Sequence, residues 1–281
     1  MFNSIEFKND SINPSFQQLE VREAIKSDVG TLPSEVILKI FYDLDRIALT
    51  SCLLVCKPWK VLASNEDLWD ALMLKEIAFG KKQWQTYFGD VGEEPPLPKG
   101  IWEILKSPCP FFSGKKVKDT HGLVLIPETV DGKPLNLTAL GKLVKAPKEG
   151  HATKYRYMWD EIVNDKNINQ ATAKSHWALM TNDVVPGTRN KSYADQQTLI
   201  AEMAKQTYEV PPLLDAAICI FMHHTGSGKR LFVDESWTYT RCQENIQNYQ
   251  LAVGGFSLAG LLVSDRFDTG PIGAAALRKF F

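Results

Sequence analysis

No run in this sequence is long and apolar enough to span a bilayer. The two best stretches, Leu213–Met222 and Leu251–Val263, fall short of the roughly 20 residues a spanning helix needs. An excess of one charge is missing as well. Acidic and basic side chains nearly cancel, 33 Asp plus Glu against 32 Lys plus Arg. That balance argues against nucleic acid or a membrane surface as partner, because counterion release needs a clear surplus of Lys and Arg. Cysteine is scarce and odd in number. Cys52, Cys56, Cys109, Cys219 and Cys242, in a 281-residue chain, suit a reducing compartment better than a disulfide framework. The opening MFNSIEFKNDSINPSFQQLE has no basic stretch followed by an apolar one, so a classical secretory signal is not expected and a cytoplasmic location is. Specialised secretion signals are compositional and escape that test.

What is present suffices for a packed core. The chain is 44% hydrophobic, which argues against general disorder, and its length suggests one large domain or two small ones. Residues 1–26 are polar without a sustained period and read as a tail. From Leu32 to Met73 the texture changes to three expected short helices. Val36, Ile37, Ile40, Phe41 and Leu44 recur at helical spacing. Pro33 suits a first helical position and Glu35 a first turn. A second helix is expected from about Asp45 to Cys56, and Pro58 opens a third carrying Trp59 and Leu62.

Residues 76–100, with the Pro-rich GDVGEEPPLPKG at their end, read as a connecting segment. Beyond them, strands and helices alternate irregularly, which predicts an α+β domain over residues 101–281. Helices are expected at Asn136–Lys145, Tyr193–Thr207 and Pro212–His223. Strands are expected at Gly122–Val130, Ser175–Met180, Arg230–Val233, Thr238–Cys242, Leu251–Val253 and Leu261–Ser264. Asp131-Gly132 marks a turn. No internal repeat is visible.

Leu32–Trp69 carries the informative motif. Leu32-Pro33-x-Glu35-Val36, then Leu53–Trp59 (LLVCKPW), then Leu68-Trp69 stand in order. The segment resembles an F-box, with Val36 a mild substitution, and the F-box stretch is taken as residues 27–75. A unit this small buries little surface by itself. Ile37, Ile40, Phe41, Leu44, Leu49, Leu54, Val55, Trp59 and Trp69 exceed one small core, so some of them must face a partner or the following domain. The resemblance implies a fold of three helices that docks on Skp1 and so on a cullin ligase, while the attached domain recruits a protein for ubiquitination. It implies an adaptor with no cofactor and no chemistry of its own. The candidate Skp1 contacts are Leu32, Pro33, Ile37, Ile40, Phe41, Leu49, Cys52, Val55, Cys56, Trp59 and Trp69.

Ser107–Leu125, LIAEMAKQTYEVP and LFVDESWTYTRCQENIQ resemble a region joined to F-box-like segments in proteins of amoeba-dwelling, chlamydia-related bacteria. That resemblance implies a bacterial effector delivered into a host cytosol. In the same region, Tyr155, Tyr157, Trp159, Trp237 and Tyr239 are aromatic candidates for holding a protein substrate. Thr225–Lys229 (TGSGK) looks like a phosphate loop, but His223 stands where its first glycine belongs and Arg230 follows the lysine. A helix end is the better reading. Cys219 with His223 and His224, His176, and Asp234-Glu235 are the residues an enzyme would use. Cys219 sits in an apolar run, which favours an inert core thiol. Cys52 and Cys56 lie at i, i+4 without a third ligand nearby, so a metal is not expected.

Overall fold

Helical spacing between Val36 and Leu44 is realised as α1, Ser34–Asp43. The computed structural model describes residues 32–233, 238–266 and 271–281. The expected tail, residues 1–26, lies outside the described residues. Pro33 stands one place before α1 rather than at its first position, and its carbonyl accepts the Val36 and Ile37 N–H groups at 2.9 and 3.2 Å. α2, Arg46–Cys52, starts on Asp45, whose Oδ1 accepts the Ala48 N–H at 2.8 Å. α3, Lys57–Ala63, takes Pro58 in its first turn, where the missing donor costs no helix bond. A fourth helix, α4 at Glu66–Ile77, follows where three had been expected. Its start is marked by Asn65, whose Oδ1 accepts the Asp67 N–H at 2.9 Å.

The chain divides into two compact units, Met1–Met73 and Leu74–Phe281, with the division falling inside α4. In the smaller unit, Ile37, Phe41, Leu49, Cys52, Leu68 and Leu72 form the buried cluster together with Ala63. Phe41 meets Trp59 edge to face at 5.2 Å, and the Trp69 indole N–H donates to the Ala63 carbonyl at 2.7 Å.

The larger unit begins with β1 (Ala78–Phe79), α5 (Lys81–Tyr87) and α6 (Ile101–Lys106). β2 (His121–Ile126) and the hairpin of β3 (Thr129–Val130) and β4 (Lys133–Pro134) come next. Asp131 and Gly132 both take positive φ in that hairpin, as the turn signal requires. α7 (Leu137–Leu143), β5 (Tyr155–Met158), α8 (Asp160–Asn164) and β6 (His176–Thr181) lead to α9 (Tyr193–Met203) and α10 (Leu213–Ser227). β7 (Tyr239–Ile246), β8 (Tyr249–Ser257), β9 (Gly260–Arg266) and β10 (Leu277–Phe280) complete it. The class is α+β. The expected strand at Arg230–Val233 reduces to one bridge between Val233 and Phe256.

Two four-stranded sheets result, ordered β1-β2-β6-β10 and β5-β9-β8-β7. The outer pairs β1/β2 and β5/β9 are parallel and the remaining pairs antiparallel. α10 packs against β2 and β6 of the first sheet and β7 and β8 of the second. That position explains LLDAAICIFM: a helix walled on opposite sides is apolar nearly all round. None of the helices of the described residues is long and apolar enough to cross a membrane.

Residues 76–100 do not behave as a connector. Ala78 and Phe79 pair with Leu123 and Val124 of β2. Trp84 is fully buried, and its indole N–H donates to the Leu125 carbonyl at 2.9 Å. Even the Pro-rich passage is anchored, since the Pro95 carbonyl accepts the Trp177 indole N–H at 3.0 Å. The stretch is part of the larger unit.

His121, at the start of β2, sets an acid limit on this unit. Its Nδ1 lies 2.9 Å from the Thr120 hydroxyl and 3.2 Å from the Val117 carbonyl. Nε2 is buried without a partner, and burial holds the imidazole pKa down to about 4, from 6.5. Between those values the unfolded chain binds a proton that the folded one refuses. About 3 kcal/mol of stability, present in full above pH 6.5, is therefore expected to vanish as the pH falls to 4. Urea midpoints across that range, for wild type and His121→Gln, test this: the variant should show a shallower acid slope.

Candidate protein-interaction surface

Four short helices cannot bury every apolar side chain they carry, and this unit shows which remain outside. Ile37 and Phe41 share the inner stripe of α1, while Val36 and Ile40 fall on the neighbouring stripe and face outward. Ile47 on α2, Leu54 and Val55 in the turn after it, and Val61 on α3 are also exposed. The exposures are large, 79% at Ile47, 85% at Leu54 and 73% at Val61. With Leu32 and Tyr42 the exposed large apolar residues number eight, against seven buried in the unit's core. Solitary exposed apolar residues are ordinary; this density on so small a unit marks an interaction surface.

The expected contact residues divide by burial. Leu32, Pro33, Ile40, Val55 and Cys56 are exposed, and Trp59 and Trp69 are half-buried. Ile37, Phe41, Leu49 and Cys52 lie in the core, where their role is packing. Burial pushes the Cys52 thiol up, away from the thiolate form. Val36, Ile47, Leu54 and Val61 were absent from the expected contacts. Ile47 and Leu54 give a signal in sequence, since neither lies at helical spacing with both Leu49 and Cys52, the buried residues of α2.

In the larger unit, Tyr155 is turned inward, edge to face with Phe221 at 4.9 Å, and burial raises its phenol. Trp159 is half-buried and Tyr239 almost wholly buried, so Tyr239 serves the core. Tyr157 is exposed on β5. Trp237, Asp234 and Glu235 lie outside the described residues.

The residues with catalytic potential are held in structural positions. Gly228 takes φ 73° and its N–H donates to the His224 carbonyl at 2.7 Å, so TGSGK is a helix end. Cys219 is buried in α10, and burial drives its thiol well above the usual range, opposite to what a nucleophile needs. His176 Nε2 lies 3.2 Å from Asp215 Oδ2, with Lys279 Nζ 3.4 Å from the same oxygen. The Phe281 ring lies beside His176 at 5.1 Å. This polar cluster fastens β10 to the first turn of α10. Lys279 and Asp215 escape sequence reasoning because their meeting depends on the sheet order. Among the described residues no group of three His, Cys, Asp or Glu is arranged to hold a metal.

Geometry thus defines a class: a small helical module with an exposed apolar surface, joined to a larger α+β domain. Residues 29–75 match the F-box-like family model, and the chain carries an F-box-like domain there. Comparison of the chain with curated proteins and with solved structures finds no match. The match gives the chain a protein-interaction role.

Proposed function

We propose that the chain is a substrate-receptor adaptor. The F-box-like unit docks a Skp1-type protein and through it a cullin ligase, and the larger unit holds a protein to be ubiquitinated. The observation that carries this reading is the outward set Leu32, Val36, Ile40, Leu54 and Val55 on the matched segment. Such an adaptor works by raising the local concentration of its target beside the ubiquitin-charged enzyme. The resemblance of the second region to proteins of amoeba-dwelling bacteria extends the proposal to an effector acting in a host cytosol.

Titration calorimetry of the full chain against purified Skp1 tests the docking step. Ile40→Asp and Leu54→Asp replace exposed side chains, so both variants should keep the wild-type melting behaviour. Each is expected to weaken binding about tenfold or more, the cost of a charge in an apolar contact. Absence of binding by the unaltered chain would overturn the reading.

A further inference from the structure

The larger unit holds a cavity of about 570 Å³ between the C-terminal half of α10, the start of β2, β1 and α5. That size suits a small organic molecule. Its walls mix apolar side chains, among them Phe79, Val124, Met180, Met222 and Leu231, with polar ones such as Lys118, Asn182 and His223. Two glycines on facing elements keep it open. A methyl group at Gly122 of β2 would meet only Asn182 Oδ1, at 3.5 Å. One at Gly226 of α10 would meet only Phe79 Cε2 and Tyr87 Oη, both at 3.9 Å.

The polar part of the lining has one sign. Among the described residues no aspartate or glutamate lines the cavity, and Lys118 brings a positive charge. The side chains of Lys118, Asn182 and His223 have no hydrogen-bond or ion-pair partner among the described residues. A lysine at the edge of a partly apolar cavity without a carboxylate favours an anion on an apolar body.

We infer that this cavity is a binding site for a small organic monoanion with an aromatic or branched apolar body, its charge met by Lys118 and its body held between Phe79, Met180 and Met222. The site lies in the larger unit.

The probe is 8-anilinonaphthalene-1-sulfonate, with neutral N-phenyl-1-naphthylamine as its uncharged counterpart, each titrated into the full chain by fluorescence. Exposed apolar residues of the F-box-like unit can also take up such dyes, so the reading is the difference between variants. Gly226→Leu should remove one bound sulfonate and one bound neutral dye per chain, and Gly122→Leu, an independent filling from the opposite wall, should do the same. Lys118→Met should raise the sulfonate Kd at least tenfold and leave that of the neutral dye within twofold. The inference fails if a filled variant with wild-type circular dichroism retains the full number of sites. It fails equally if Lys118→Met changes the two Kd values alike, or if the wild type binds neither dye.

Discussion

Replacing Phe41 with alanine is expected to unfold the F-box-like unit while the larger unit keeps its own melting transition. Phe41 is 2% exposed, sits in a core of seven buried residues and meets Trp59 edge to face. Removing a buried phenyl ring costs about 3–5 kcal/mol. A core of this size rarely supplies more than about 3–5 kcal/mol in total, so the loss equals the whole stability of the unit. Ile40→Ala, one position before it on the exposed stripe, should cost no more than about 0.5 kcal/mol. Hydrogen exchange separates the outcomes: in Phe41→Ala the amides of α1, α2 and α3 should lose protection while those of β2, β6 and α10 hold theirs. Retained protection in α1 would show that the core tolerates the cavity. On the proposed adaptor reading, Skp1 binding should disappear with the protection.

Gly260→Ala should do the converse and break the larger unit while sparing the smaller. Gly260 opens β9 at φ 121°, a conformation side chains rarely adopt. A Cβ there would stand 2.2 Å from the Lys154 carbonyl oxygen and 2.8 Å from the Arg156 nitrogen. Both are backbone atoms, and the Lys154 carbonyl also accepts the Leu261 N–H at 2.9 Å. The strand carrying Tyr157 would have to leave its partner. Backbone strain and the lost pairing together should cost about 3–5 kcal/mol. Gly92→Ala gives a milder reference without a clash, because Gly92 has φ 73°, near the left-handed region, and open space around it; that change should cost only about 1–2 kcal/mol. Chemical denaturation of the pair measures the difference. Equal midpoints would mean that β5 and β9 part at little cost.

The sequence announced local features well. Asp45 starts a helix, Asp131-Gly132 turns a hairpin and Asn136 caps α7, each by chemistry confined to a few neighbouring residues. The F-box-like segment was legible for the same reason: its signature residues are close together in order. Three misreadings share a cause. β1 is a strand of two residues, too short for any period, and exists because β2 lies beside it. GDVGEEPPLPKG has linker composition, yet Trp177 anchors it from a strand far downstream. β10 and the meeting of Lys279 with Asp215 depend on how distant strands are ordered. Of the interaction surface, the sequence indicated that apolar residues were in excess, but not which would face outward; Ile37 and Ile40 separate only when α1 is packed.

The strand order of the first sheet also bears on synthesis. β1 stands at one edge and β10 at the other, so Ala78 and Phe280 belong to one sheet. β10 pairs with β6, Leu277 beside Met180; a contact of such long sequence separation forms slowly and waits until β10 has left the ribosome. The helices of the F-box-like unit close among near neighbours and are made before any strand of that sheet. A nascent chain would thus present the helices of its F-box-like unit, folded, before the first sheet of its larger unit could be completed.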